Sequence, residues 1–255
     1  MSEDHMFYTE ELPVSILYPD GKRVSGEAEI VSEHNLTVLI NEKAAYRLVC
    51  TKDNLKELVA GRLKTDGIIE SAEDIYRIYF CKYENEASVF LNKEIAWEET
   101  LRSDLTCCTG NRVYAEGKRA GLKKLPPKKV CPEWVFALTE EFGKGTKIHD
   151  RTAGVHVCML AREGEILFVS EDIGRHNAVD KVVGYALLNG ISLNECMIFT
   201  SGRVPVDMVE KVIAAGIPVL VSKSVPTAES VKMAGEYGLV LICRAWPDKC
   251  EIFAG

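Results

Sequence analysis

The stretch MIFTSGRVPVDMVEKVIAAGIPVLVS, residues 197–222, decides the fold. MIFT is a short apolar run, PVLV is another, and between them a helical pattern runs from near Val206 to Ala215. The same alternation extends on both sides. Upstream lie VHVCMLA, a turn at Glu163-Gly164, ILFVS and a helix from near Ala178 to Leu188; downstream lie a helix from near Ala228 to Tyr237 and LVLIC. Repeated strand and helix imply a layered α/β unit, largely parallel in its second half.

In such sheets ligands collect at the loops leaving the carboxyl ends of the strands. That rule selects Glu171 to His176, Ser201 to Arg203, Ser222 to Thr227, and Arg244 onward. EDIGRHN (171–177) sets two carboxylates, a glycine, Arg175 and His176 on one loop that enters a helix. Arg175 suits a phosphate and His176 can give or take a hydrogen bond, while Glu171 and Asp172 can cap helix amides or orient cations. The competing reading is a buried ion network that pins strand to helix. SGR (201–203) joins a hydroxyl, a glycine that permits close approach and a guanidinium, and is either an anion site or a surface turn. SKSVPT (222–227) adds hydroxyls and a lysine, so three successive loops carry groups fit for phosphate or ribose.

The first hundred residues read differently. LPVSILYPDGKRVSGEAEIV is a hairpin around Pro19, Asp20 and Gly21; LTVLIN and YRLVC continue the strands. TKDNLKELVAGRLKTDG puts Leu55, Leu58, Val59 and Leu63 on one helical face, with Thr51 as a cap and Asp66-Gly67 as a stop. This helix should cover a sheet. IYRIYFCKYENEASVFLN is a second hairpin, turning at Glu84 and Asn85. From Arg112 to Lys129 seven cations stand against the single acid Glu116, a composition that fits a solvated linker or a surface for a phosphate-bearing or acidic partner. The expected division is a smaller strand-rich α+β domain over residues 1–126 and a layered α/β domain over 127–255, α+β overall.

A net charge of −7 argues against general nucleic-acid binding. No apolar run has membrane-spanning length and the acidic N-terminus does not resemble a secretory leader, so the expected address is the cytoplasm. The nine cysteines lack the spacing of a disulfide scaffold. Cys81, Cys158, Cys196 and Cys243 sit in apolar runs and read as core packing. FGKGTK (142–147) lacks P-loop spacing, no GxGxxG follows a strand, and neither CxxC nor HExxH occurs. No metal site is expected.

The vicinal pair Cys107-Cys108, in DLTCCTGNR (104–112), is too strained for a mutual disulfide and poorly spaced for one metal. It is either incidental or a reactive thiol whose pKa nearby cations lower. A thiolate can accept the outer sulfur of a persulfide by the displacement chemistry of disulfide exchange.

RTAGVHVCML, SEDIGRHNAVDKVVG, TSGRVPVDMVEKV, AGIPVLVSKSVPTAESVKMA and GLVLICR, in that order, resemble the FdhD family, the formate dehydrogenase accessory sulfurtransferases. ELPVSILYPDG and ELVAGRLKTDGIIESAEDI resemble its N-terminal half. The resemblance implies a cytidine-deaminase-like C-terminal domain without the deaminase zinc signature, and a homodimer. It implies transfer of persulfide sulfur from a cysteine desulfurase to a molybdenum (or tungsten) bis(molybdopterin guanine dinucleotide) cofactor, which activates formate dehydrogenase. A cofactor-binding and insertion chaperone without thiol chemistry is the alternative. The family's cysteine loop, laid on TCCTGNR, assigns the persulfide to Cys108, with Cys107 at a glycine position and Asn111 where many relatives have a second cysteine. For the cofactor the resemblance implies Ile242, Cys243, Arg244, Ala245, Trp246 and Pro247, together with His156, Asp172, Arg175, His176, Ser201, Arg203, Ser222 and Thr227.

Overall fold

The computed structural model describes residues 8–94 and 121–255. β1 (Thr9–Leu17) and β2 (Arg23–Val31) form a two-stranded antiparallel ribbon turned at Gly21, whose φ of +83° is the left-handed value such a turn needs. β3 (His34–Ile40), β4 (Lys43–Cys50), β5 (Ile75–Phe80) and β6 (Glu86–Leu91) make a four-stranded sheet in the order β4-β3-β6-β5. The pairs β3-β4 and β5-β6 are antiparallel hairpins, and β3 runs parallel to β6. α1 (Leu55–Thr65) covers this sheet, and Leu55, Leu58, Val59 and Leu63 join Leu36, Val38, Ile40, Leu48 and Val89 in its core.

α1 departs from expectation at its start. Its N-cap is Asn54, in the left-handed region at φ 50°, with no side-chain cap bond. Thr51, expected as the cap, instead turns its hydroxyl to Asp53 and to Glu171 O and Asp172 Oδ2, more than a hundred residues on in the chain. The helix is also buried beyond its apolar face, because Ala60, Gly61 and Arg62 are covered by a second helix rather than by solvent.

α2 (Pro132–Gly143) and the single turn α3 (His149–Thr152) lead into β7 (His156–Arg162) and β8 (Glu165–Asp172). Then follow α4 (Arg175–Leu188), β9 (Met197–Thr200), α5 (Val206–Ala215), β10 (Val219–Ser222), α6 (Ala228–Tyr237), β11 (Val240–Trp246) and β12 (Lys249–Ala254). The strands form a six-stranded sheet in the order β12-β11-β10-β9-β7-β8. β9, β10 and β11 are parallel, while β7 runs antiparallel to both β8 and β9. MIFT and VLVS are buried at every position, as central strands covered on both faces require. One face packs α4, α5 and α6 around Val179, Val182, Ile198, Met208 and Leu220; the other packs α2 around Leu138, Met159, Phe199 and Val221. The layered α/β reading of this half stands.

Two further expectations change in detail. Leu125, inside the expected linker, is buried in the sheet core and its amide bonds the carbonyl of Tyr237, so that end of the basic stretch is docked rather than solvated. Cys158, Cys196 and Cys243 are buried as expected, but Cys81 is half-exposed at the end of β5 and its thiol donates to Asn85 Oδ1 at 2.9 Å. Its apolar run ends at the strand's last residue, where a turn begins.

Candidate functional site

Because β9, β10 and β11 are parallel and β7 is antiparallel to β9, the start of β7 lies beside the carboxyl ends of the other three. His156, Arg175, Ser201 to Arg203, Ser222 to Ser224 and Arg244 therefore share one edge of the sheet. The backbone knits them together: Ser201 N donates to Val157 O at 3.0 Å, Lys223 N to Thr200 O at 3.0 Å, and Arg244 N to Ser224 O at 2.9 Å. Arg244 holds a φ of +48° to make that turn.

Gly202 lies at the centre. A Cβ there would come within 3.0 Å of Arg175 Cβ and 3.5 Å of His156 Nδ1, so only glycine leaves these side chains in contact across the loop. Arg175 Nε is buried and has no hydrogen-bond partner among the described residues. A buried donor without an acceptor is costly, and an anionic oxygen is the acceptor that a guanidinium recognises best. His176 is buried behind it, with Nε2 3.0 Å from Asp207 Oδ2. Burial lowers the pKa of both His156 and His176, and the neighbouring Arg175 cation lowers both further. Asp207, near the start of α5, titrates down at about 2: burial opposes ionisation, and His176 and Arg175 outweigh it. The cluster is poised for a ligand that brings negative charge.

Other expected residues serve the protein itself. Asp172 has no exposed surface: Oδ1 accepts from Gly174 N at 2.8 Å and Asn177 Nδ2 at 2.9 Å, while Oδ2 lies 2.8 Å from Lys181 Nζ. Glu171 accepts from the amides of Ile148 and His149 and from the Thr146 hydroxyl, tying the turn before β7 to β8. For these two carboxylates the buried-network reading of EDIGRHN is the right one, and the loop's outward-acting residue is Arg175. Ser222 Oγ donates to Gly202 O at 2.8 Å and accepts from Ser224 N; Ser201 Oγ accepts from Val157 N; Thr227 Oγ1 caps α6 at Ser230 N. These hydroxyls shape the loops whose backbones carry the site. In the C-terminal segment Ile242, Cys243 and Ala245 point into the cores, and Arg244, Trp246 and Pro247 are exposed. Arg244 Nη1 pairs with Glu251, and Arg203 is exposed.

Lys223 was visible in the sequence only as one lysine among hydroxyls. Its Nζ lies 4.8 Å from the Phe142 ring centre and 5.0 Å from that of Trp246, a cation held between two aromatic faces at the rim of the same edge. Asp207 had no signal in the sequence, since its role depends on how α5 faces α4. Cys107 and Cys108 lie outside the described residues. A cavity of about 670 Å³ at the carboxyl ends of α1 and α5, lined by Lys64, Gly67, Leu122, Ile213 and Gly216, shares no residue with this cluster. Among the described residues no helix is long and apolar enough to cross a membrane.

The model of the FdhD/NarQ family matches residues 31–255. The chain belongs to that family. It is 32% identical over 234 residues to the sulfur carrier protein FdhD of Bacillus subtilis (strain 168), covering 88% of each chain. With the protein of the same name from Listeria monocytogenes serotype 4b (strain F2365) it shares 29% over 236 residues, covering 90% of each. A crystal structure described as that of a formate dehydrogenase accessory protein, from Desulfotalea psychrophila, superposes with a TM-score of 0.80 at 25% identity, covering 97% of both chains. Membership of the FdhD/NarQ family agrees with the resemblance carried by the second-half motifs.

Proposed function

We propose that this FdhD/NarQ chain is a sulfur carrier that acts in the maturation of formate dehydrogenase. In this reading Cys108 takes sulfur from a cysteine desulfurase and delivers it to a molybdenum (or tungsten) bis(molybdopterin guanine dinucleotide), bound as the substrate to be sulfurated. The names of the relatives support the sulfur-carrying part. The observation that carries the binding part is the buried, unpartnered Arg175 Nε beside His156 and Gly202, with Lys223 and Trp246 at the rim. Guanine dinucleotide arms offer phosphate oxygens to Arg175 and a flat ring to Trp246.

The Cys108 thiolate attacks the outer sulfur of the desulfurase persulfide. A sulfur–sulfur bond forms at Cys108 as the donor's breaks, and the donor cysteine leaves as thiolate. Cations in the 112–129 stretch favour the thiolate. The same reading includes a homodimer in the cytoplasm. It also includes a cytidine-deaminase-like arrangement, supported by the order β8-β7-β9-β10-β11 with its leading antiparallel pair.

The chaperone alternative uses the same anion-binding edge without thiol chemistry, and mass spectrometry separates the two. After incubation with a desulfurase and cysteine, the peptide containing Cys107 and Cys108 should gain about 32 Da, and Cys108→Ala should abolish the gain while Cys107→Ala retains it. An unmodified wild-type peptide favours the chaperone. A gain that survives Cys108→Ala moves the sulfur to another thiol.

A further inference from the structure

The β1-β2 ribbon carries an apolar face that the fold leaves open. Because side chains alternate along a strand, the even-numbered residues of β1 share one face with those of β2. The register sets Glu10 opposite Ile30, Leu12 opposite Ala28, Val14 opposite Gly26 and Ile16 opposite Val24; the bond from Tyr18 N to Lys22 O continues the series to the tip. The odd-numbered face is mostly polar, with Thr9, Glu11, Ser15, Arg23, Ser25, Glu27 and Glu29 beside Pro13, Val31 and, near the tip, the 63% exposed Leu17; it is the face anchored to the molecule at its base. Arg151 of α3 pairs with Glu29, and Val31 packs where a Cβ on Gly154 would lie. The even face points away, with Leu12, Ile16, Tyr18, Val24 and Ile30 between 37% and 46% exposed. A two-stranded ribbon is marginal alone, and an apolar stripe of this kind marks a contact surface.

The order of residues along the stripe identifies what covers it. The rows run from an acid at the base (Glu10) through three apolar rows to a lysine at the tip (Lys22), and the Val14–Gly26 row is the middle of the five. A two-fold axis through that middle row lays one ribbon antiparallel on another. It brings the Glu10–Ile30 row of each chain to the Tyr18–Lys22 row of the other, with Glu10 diagonal to Lys22, faces Leu12 with Ile16, and sets Val14 against itself. Gly26 carries no side chain, and Ile16 covers its place, so the middle row lets the two faces approach. A surface that complements itself in charge and shape about one axis is the requirement for an isologous dimer.

We propose that this even-numbered face is where a second copy of the chain docks, ribbon on ribbon about the Val14–Gly26 row. The proposal rests on the homodimer of the proposed function and assigns its surface; it does not depend on sulfur transfer. Sedimentation velocity of the full chain at about 10 µM should give a dimer, and Leu12→Asp/Ile16→Asp should raise the dissociation constant by at least about 100-fold, since each aspartate would be buried without a partner. Circular dichroism checks that the fold survives in these exposed-site variants. Glu10→Lys alone should weaken the dimer by setting lysine against lysine, and Glu10→Lys/Lys22→Glu should restore it. Val14→Cys should cross-link to its own copy on oxidation, giving a dimer band on a non-reducing gel. A monomeric wild-type protein would overturn both the homodimer and its surface. A dimer that ignores Leu12→Asp/Ile16→Asp, or a charge swap that fails to restore it, overturns the surface alone.

Discussion

At the scale of single residues, the pair His156 and Arg175 makes a pH prediction whose sign follows from the geometry. Burial, and then the Arg175 cation, hold the His156 pKa below its ordinary value near 6.5, and burial does the same for His176. Both imidazoles are therefore neutral at pH 7 in the free protein. A phosphate between Arg175 and His156 favours the protonated ring, so the bound form has the higher pKa and binding takes up protons. Affinity for guanosine diphosphate should rise as pH falls from about 7.5 through the imidazole range, and His156→Gln should flatten that dependence. Calorimetry in buffers of different ionisation enthalpy measures the uptake directly. A pH-independent affinity would remove His156 from the binding surface. The sequence named both residues but could not separate them from Asp172, because a loop's composition does not say which side chains turn inward. Asp172 turns inward because Lys181, nine residues on, is buried beneath it.

At the scale of elements, α1 and α4 cross through two glycines. A Cβ on Gly61 would run into the carbonyl oxygen of Asp180, and one on Gly184 into that of Glu57. Both obstacles are helix backbone, which cannot swing aside, so Gly61→Ala and Gly184→Ala should each destabilise by at least about 3 kcal/mol. Gly235→Ala in α6 meets nothing within 4 Å and should instead stabilise by about 0.5–1 kcal/mol. Urea unfolding compares the three, and equal effects would mean the crossing yields. This contact explains where sequence reading stops. Leu55, Leu58, Val59 and Leu63 announce a helix with one sheet-facing stripe, and the structure bears that out. The opposite face of α1 reads as Gly61, Arg62 and Thr65, polar or small, which suggests solvent. It is buried because α4 and α5 supply its partners: Thr65 Oγ1 donates to Asp180 at 2.7 Å, and Lys211 Nζ lies 2.8 Å from the same carboxylate. Strand runs and turn residues are local signals and were legible; partners more than a hundred residues away were not.

At the scale of the whole molecule, neighbouring residues of α4 fasten the N-terminal sheet to the six-stranded one. Asp180 binds Thr65 of α1, while Lys181 reaches Thr51 Oγ1 at 2.6 Å, Asp53 Oδ1 at 2.7 Å and Asp172 Oδ2 at 2.8 Å, with no surface of its own exposed. Lys181→Met leaves Asp172 buried without its cation and should cost about 3–5 kcal/mol, roughly 6–20 °C in Tm for a chain of this size. Asp172→Asn with Lys181→Met should cost less than the two singles summed, because the second change removes a charge that the first had stranded. The same pair has an alkaline signature. Burial pulls the Lys181 pKa down, but the Asp172 and Asp53 carboxylates outweigh it, so the folded value lies above the ordinary lysine value. A raised folded pKa contributes stability that is complete below the unfolded pKa of about 10.4 and is lost as pH rises through the folded one. Wild-type stability measured against Lys181→Met should therefore show a constant gap from pH 7 to about 10 that closes above it. A gap that narrows below pH 9 would mean the lysine is not held by these carboxylates.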